Sequence, residues 1–202
     1  MTNGKPITMD LGSIIKKGMS HDAYRAAFDK AVAEGRDVGP PDGGYGSEYT
    51  KLNLARTRRL EKTLKISDDV RSIMTKAAPQ TWIVLTEMWC GDSAQNLPVI
   101  HALAELAPSI KLHVLLRDEN LELMDNYLTG GSRSIPKLIA FETATGNELF
   151  TWGPRPVSAQ TLVITEKEGK TKEELAEILH GWYNTNKGQD VVREVVALVA
   201  RQ

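Results

Sequence analysis

The residues with the clearest chemical potential form the stretch Trp-Cys-Gly-Asp-Ser at 89–93, which contains the only cysteine of the chain. An apolar run at 82–85 precedes this stretch, and a helical pattern over 94–107 follows it. We therefore predict that the thiol lies where a helix begins, beside unpaired backbone N–H groups and the positive end of the helix dipole. Both favour the thiolate, the nucleophilic form of cysteine, so the stretch predicts a redox-type thiol site.

Alternative roles stay open for the three polar members of this stretch, which are the candidate catalytic residues. Cys90 could be a small buried hydrophobe instead of a reactive thiol. Asp92 is a good helix N-cap, but it could also raise the pKa of the thiol or accept a proton from an incoming thiol. Ser93 is isosteric with cysteine, and it could donate a hydrogen bond to the thiolate or only cap the helix.

Composition narrows the class of protein. The chain has 202 residues, 41% of them apolar, and a net charge of −1, which predicts one globular domain with or without an extension and no nucleic-acid-binding surface. No apolar run reaches the ~18 residues of a membrane span, and the first ten residues lack the apolar core of a secretory signal. One cysteine cannot form an internal disulfide, so we expect a cytoplasmic protein. The charge and the absence of a long apolar run predict no nucleic-acid or membrane partner.

The hydrophobic pattern predicts the elements that position the thiol. Strands are predicted at 81–86, 111–116, 137–141 and 148–152. Helices are predicted at 20–35, 47–65, 68–77, 94–107, 120–129, 158–167, 171–186 and 189–201. A helix joins the first two strands, which are therefore parallel, and a tight turn joins the last two, which are therefore antiparallel. We predict an α/β fold with a four-stranded mixed sheet flanked by helices.

The regions outside this core are expected to play other roles. Residues 1–65 are predicted to be a helical N-terminal extension that starts with a loosely held lead-in over 1–18, and 66–202 are predicted to hold the core domain and extra C-terminal helices. The Gly- and Pro-rich segment 35–46 predicts an exposed loop or linker and lacks the Gly-Lys-Ser/Thr of a phosphate loop. The four histidines show no metal-ligand spacing, so we predict no metal site.

Several of these features together resemble the thioredoxin family. Trp-Cys-Gly between a strand and a helix is similar to its active-site turn, and Pro98 stands where the family has a helix-kinking proline. Ser-Ile-Pro at 134–136 matches the family's cis-proline loop. The resemblance covers roughly 66–182 and implies a thioredoxin-like fold. The stretches Trp-Cys-Gly-Asp, Arg-Ser-Ile-Pro and Trp-Gly-Pro-Arg are similar to a bacterial group of thioredoxin-like proteins with a single-thiol motif.

The chain also departs from the family pattern at three positions. Ser93 stands in place of the second cysteine, Asp92 in place of the intervening proline, and Val84 in place of the buried acid. Cys90 therefore cannot cycle through an internal disulfide. Glu87, three residues before Cys90, is a candidate acid–base group in place of the missing acid, although a solvated glutamate is the alternative.

The resemblance implies where a substrate would bind. If Pro136 is cis, the backbone of Ile135 lies beside the thiol and can hold an extended peptide or a glutathione-like backbone, next to Trp89. Arg133 could stabilise the thiolate or a ligand carboxylate, or it could be a surface loop residue. Two further arginines are expected to form salt bridges within the loops, namely Arg117 and Arg155.

Two functions follow from these predictions. The first is a thiol-disulfide oxidoreductase in which Cys90 forms a mixed disulfide with a protein or a low-molecular-weight thiol, and an external thiol acts as co-substrate in place of a bound cofactor. The second is a redox-inactive module that uses the same groove to bind a peptide or protein. The expected partner is a thiol- or disulfide-bearing protein or small thiol, and the oligomeric state is left open.

Overall fold

The computed structural model describes residues 10–40 and 46–202. Its strands are β1 (Gln80–Thr86), β2 (Ile110–Leu116), β3 (Lys137–Glu142) and β4 (Glu148–Trp152). Its helices are α1 (Leu11–Lys17), α2 (His21–Ala33), α3 (Gly46–Thr63), α4 (Asp68–Thr75), α5 (Gly91–Glu105), α6 (Leu121–Met124), α7 (Val157–Glu166), α8 (Lys172–Asn186) and α9 (Gln189–Val199). None of these helices is both long enough and apolar enough to cross a membrane.

The four strands form one mixed sheet in the order β2-β1-β3-β4. Strand β1 pairs with β2 in parallel and with β3 antiparallel, and β3 pairs with β4 antiparallel. Helix α5 connects β1 to β2, as a parallel pair requires. The predicted fold class is confirmed.

Strand β1 occupies the centre of the sheet, and all seven of its residues are buried. Side chains alternate between the two faces of a strand, so each face of β1 contributes to a different cluster. Trp82 and Val84 pack with residues of α2, α5 and α9, whereas Ile83 and Leu85 pack with Met124 and other residues on the opposite face. Burial on both faces makes β1 a fixed support for the turn that follows it.

Three local elements differ from the prediction. Helix α1 forms within the predicted loose lead-in, because the Asp10 side chain caps it by accepting from the Gly12 N–H at 3.0 Å. Helix α5 begins at Gly91 rather than at residue 94. The predicted helix over 120–129 is wrong beyond α6, because the following N–H groups of Asn126 and Tyr127 bond three residues back in tight turns.

The helices before residue 66 pack directly on the core. The Asn53 amide in α3 donates to the Met88 carbonyl at 3.1 Å, and the Thr57 hydroxyl approaches the Ala94 carbonyl at 3.2 Å. Tyr24 and Phe28 of α2 belong to the same buried cluster as Trp82. The domain boundary after residue 65 stays a prediction. Residues 1–9 of the predicted lead-in and 41–45 of the predicted linker lie outside the described residues.

Candidate functional site at the thiol cleft

Cys90 lies between the end of β1 and the start of α5, and it is the N-cap residue of α5. Its Sγ accepts a hydrogen bond from the Ser93 backbone N–H at 3.4 Å. The thiol in turn donates to the Ile135 carbonyl at 3.3 Å. Only 8% of the residue is exposed. The thiol therefore lies where the sequence predicts it, but it is nearly enclosed.

The surroundings of Cys90 favour the protonated thiol. Burial raises its pKa to about 11, the nearby Asp92 carboxylate acts in the same direction, and contacts with Ser93 oppose both. The helix terminus is therefore outweighed by desolvation. At neutral pH the sulfur is a hydrogen-bond donor and a poor nucleophile.

The loop that faces the thiol contains a cis peptide bond between Ile135 and Pro136. The Ile135 carbonyl is occupied by the Cys90 thiol, whereas its N–H has no hydrogen-bond partner among the described residues. Gly153 packs against this loop with φ of +111°, and a Cβ there would lie 2.1 Å from the Pro136 carbonyl oxygen. Only glycine therefore allows the β4 end to approach the loop this closely.

Asp92 is the centre of a polar cluster in which both of its own carboxylate oxygens are paired, whereas Asn96 Oδ1 has no hydrogen-bond partner among the described residues. Its Oδ2 accepts from Arg155 Nε at 2.8 Å and lies 2.7 Å from Arg155 Nη2, and its Oδ1 accepts from the Tyr183 hydroxyl at 2.8 Å. The Asn96 amide donates to Tyr183 Oη and to the Pro154 carbonyl. These contacts tie the first turn of α5 to the loop after β4 and to α8, so the carboxylate is engaged in structural pairing.

Ser93 is 1% exposed and contacts the thiol through its backbone. Its hydroxyl makes no hydrogen bond among the described residues. The backbone N–H of Ser93 makes a hydrogen bond to the sulfur, and the side-chain hydrogen bond stays a prediction. A catalytic role of Ser93 stays a prediction.

Trp89 and two arginines form the opposite edge of the site. The Arg117 guanidinium lies over the Trp89 ring, 4.8 Å from its centroid, and pairs with Asp118 at 2.6 Å. Arg117 also donates to the Arg133 carbonyl at 3.1 Å. The Arg133 side chain is exposed and pairs with Asp125 at 2.6 and 2.8 Å, so the structure favours the surface alternative for this residue.

Glu87 is buried directly before the thiol turn. Its Oε1 accepts from the Asp118 backbone N–H at 2.8 Å, and its carbonyl accepts from the Cys90 N–H at 3.2 Å. Burial raises the pKa of this carboxyl group to about 7, against the opposing hydrogen bond from Asp118. Glu87 can therefore gain or lose a proton near neutral pH, and its role in proton transfer stays a prediction.

A cleft of about 710 Å³ opens at the thiol. Among the predicted site residues it is lined by Trp89, Cys90, Asp92, Arg133 and Ile135, whereas Ser93 and Pro136 do not line it. Sequence reasoning missed the far wall, which includes Tyr49 of α3 and Leu175, Ala176 and His180 of α8. The capping box at Thr171 and Glu174 predicts a helix there, but it carries no signal that this helix faces the thiol.

His180 shows how closely this far wall packs on the start of α5. A Cβ at Gly91 would lie 3.0 Å from both the His180 ring and the Tyr49 hydroxyl, so the glycine permits the contact. His180 Nδ1 lies 3.3 Å from the Gln95 amide nitrogen. Burial first, and then nearby arginines, lower the pKa of His180 to about 4, so the ring is neutral at physiological pH.

The sheet order, the thiol at a helix start and the adjoining cis-proline loop define a thioredoxin-fold protein with a single thiol. A thioredoxin family model matches residues 39–172, and the chain belongs to this family. No functionally curated protein has a significantly similar sequence.

Two of the solved structures that match this chain illustrate the shared fold. A Pseudomonas aeruginosa protein of unknown function is 15% identical, with a TM-score of 0.62 over 93% of this chain and 95% of its own. A crystallised HIV epitope-scaffold is 18% identical, with a TM-score of 0.59 over 95% of this chain and 98% of its own.

Proposed function

We propose that the chain is a thioredoxin-fold binding module whose cleft holds an extended peptide segment. The observation that carries the proposal is the state of Cys90, a buried thiol that donates to the Ile135 carbonyl. A thiol held in this way is protonated at neutral pH and reacts slowly. The chain also has no second cysteine with which to complete an internal redox cycle.

The cleft offers the contacts that an extended peptide needs. The Ile135 N–H can donate to a peptide carbonyl, which is the main-chain contact on which strand-like recognition depends. The Trp89 ring, covered on one side by Arg117, supplies an apolar wall for a side chain. Lys172 lines the cleft, is exposed and has no ion-pair partner among the described residues, so an acidic side chain in the peptide is favoured.

The second candidate is the monothiol oxidoreductase. The observation in its favour is that Cys90 lines the cleft and accepts from a backbone N–H at the start of α5. Its thiolate would attack one sulfur of a mixed disulfide, form a new bond between Cys90 and that sulfur, and release the other sulfur as a thiolate. A low-molecular-weight thiol would then attack the new disulfide as co-substrate and return Cys90 to the thiolate.

Selection from a random-peptide phage library tests the binding proposal. A selected peptide should bind the wild-type chain and Cys90→Ser with affinities within about threefold of each other, because no covalent bond is needed. Ala176→Trp should weaken binding at least about tenfold, because the indole fills the cleft. Glu177→Trp is the matched control, since the neighbouring side chain is exposed and does not line the cleft.

A turnover assay separates the two candidates. Wild-type chain and Cys90→Ser are compared in the reduction of a peptide–glutathione mixed disulfide by glutathione. The binding proposal predicts that neither the wild-type chain nor Cys90→Ser raises the rate of this reduction above the uncatalysed rate. Turnover by the wild-type chain that disappears in Cys90→Ser would replace the proposal by the oxidoreductase.

A further inference from the structure

A second cavity, of about 570 Å³, shares no lining residue with the thiol cleft. His21 and Asp22 reach it from the start of α2, and His101 and Glu105 reach it from the later turns of α5. The sequence spacing of the histidines predicts no metal ligands, but the fold stacks two of them with ring centroids 3.6 Å apart.

His21 is the unusual member of this cluster. It is 7% exposed, and neither Nδ1 nor Nε2 has a hydrogen-bond partner among the described residues. Buried polar atoms are nearly always paired, so two unpaired nitrogens on one ring point to a missing partner.

We propose that this cavity binds a divalent transition-metal ion such as Zn²⁺ through His21, Asp22 and His101, with Glu105 as a fourth ligand. One ligand atom from each of the first three residues lies within 4.8 Å of the others. Glu105 Oε1 lies 3.6 Å from His101 Nε2. Two imidazoles and two carboxylates form a donor set that suits zinc, whose bonds of ~2.0 Å place ligand atoms roughly 3.3 Å apart.

To bind a metal ion together, the ligands must move closer, and His101 and Glu105 can make this movement. The two rings stack with an interplanar angle of 15°, so His101 must turn to direct a nitrogen toward the same point as His21. The side chains of His101 and Glu105 are 26% and 72% exposed, so both can rotate without displacing the core. They lie four residues apart on α5 and therefore share one face of the helix.

The charges around the cavity permit a cation. Three carboxylates and two guanidinium groups line it. One of the guanidinium groups, Arg25, is already paired with Glu61 at 3.2 Å. The remaining lining charges, two carboxylates and one guanidinium, carry a net negative charge, which favours a positive ion. The carboxylates of Asp22 and Glu105 are available to bind it.

Calorimetric titration of the full chain with zinc chloride tests the proposal. We expect one ion per chain for the wild type and for Cys90→Ser, since the thiol lies in the other cleft. His101→Gln should weaken binding at least about tenfold, because it removes a direct ligand. His113→Gln is the matched control, because this half-buried histidine of β2 does not line the cavity.

Two results of this titration would contradict the zinc proposal. Absence of one-to-one binding by the wild type would overturn the proposal, and so would His101→Gln binding zinc as tightly as the wild type. Circular dichroism and melting curves establish that each variant is folded. A zinc-dependent rise of the wild-type melting temperature that is absent in His101→Gln gives a second readout independent of calorimetry.

Discussion

Two buried polar clusters lie along helix α5, and they differ in the pairing of their central side chains, Asp92 and His21. In the first turn, both oxygens of Asp92 are filled by Arg155 and Tyr183. In the later turns, His21 stacks on His101 with both of its nitrogens unpaired among the described residues. The Asp92 carboxylate is fully paired, although the neighbouring Asn96 Oδ1 has no partner among the described residues, whereas His21 has room for an external partner.

The difference in pairing between the Asp92 cluster and the His21 cluster affects how each region can bind a ligand. The paired Asp92 carboxylate joins α5, the loop after β4 and α8, and it fixes the wall of the thiol cleft before any ligand arrives, which reduces the ordering cost of binding. An unsatisfied cluster leaves polar groups whose burial is unfavourable until something binds them. The thiol cleft is accordingly a preformed groove, and the histidine cavity is a site that a ligand would stabilise.

The largest effect is expected from breaking the ion pair between Arg155 and Asp92. Arg155→Met leaves the Asp92 carboxylate buried with Tyr183 as its remaining partner, and we expect a loss of about 2–4 kcal/mol in the free energy of unfolding, measured in urea. Arg133→Met is the control, because its pair with Asp125 is exposed and screened by solvent, so that its loss should cost much less than the loss of Arg155. Equal losses in the two variants would contradict the account.

Glu87 is an intermediate case, a buried carboxyl group with a hydrogen bond from a single backbone N–H. Its pKa in the folded state is raised to about 7, so the folded protein binds more protons than the unfolded chain between pH 4.5 and that value. Its contribution to stability is therefore present below pH 4.5 and is lost as the pH rises through 7. We expect a loss on the order of 2 kcal/mol between pH 5 and pH 8 that Glu87→Gln lacks.

Urea titrations of both proteins at the two pH values measure this difference. The difference between the two proteins removes the contributions of the other titrating groups, which they share. Parallel pH profiles would show that Glu87 is ionised equally in the folded and unfolded states.

A smaller effect is expected from removing the Tyr183 hydroxyl that bonds to Asp92. Tyr183→Phe deletes the hydrogen bond to Asp92 and leaves the Asn96 amide with one partner fewer. We expect a loss of about 1–2 kcal/mol in the free energy of unfolding, because the ion pair with Arg155 remains. A loss as large as that of Arg155→Met would show that the hydroxyl, not the ion pair, holds the cluster together.

The smallest change in stability is expected from replacing His21. His21→Leu removes two buried nitrogens that have no partner to lose, so without added metal the free energy of unfolding should change by less than about 1 kcal/mol. Thermal or urea unfolding in the presence of a chelator measures this change. A loss above about 2 kcal/mol would mean that the ring is already satisfied in the free protein.

The sequence predicts the parts of the structure that depend on local pattern. The buried run of β1 and the turn at Cys90 can be recognised because strand burial and helix starts leave signals within a few residues. The Ile135–Pro136 loop was placed beside the thiol only through the family resemblance, since 45 residues separate it from Cys90.

Other features have no local signal. Asp92 and Tyr183 are 91 residues apart, and their contact depends on how α8 docks on α5. The stacking of His21 on His101 likewise depends on the packing of α2. The apolar spacing continues to Leu128 and so predicts a longer helix, but α6 ends at Met124.

The state of the Cys90 thiol tests the central claim most directly. The rate of its alkylation by iodoacetamide is measured against pH in the full chain, with the unfolded chain in urea as the reference for an accessible thiol. The account predicts slow alkylation at neutral pH and a midpoint above about 9, because burial and Asp92 hold the thiol in its protonated form. Fast alkylation with a midpoint below about 7.5 would contradict the binding-module proposal and favour the monothiol oxidoreductase.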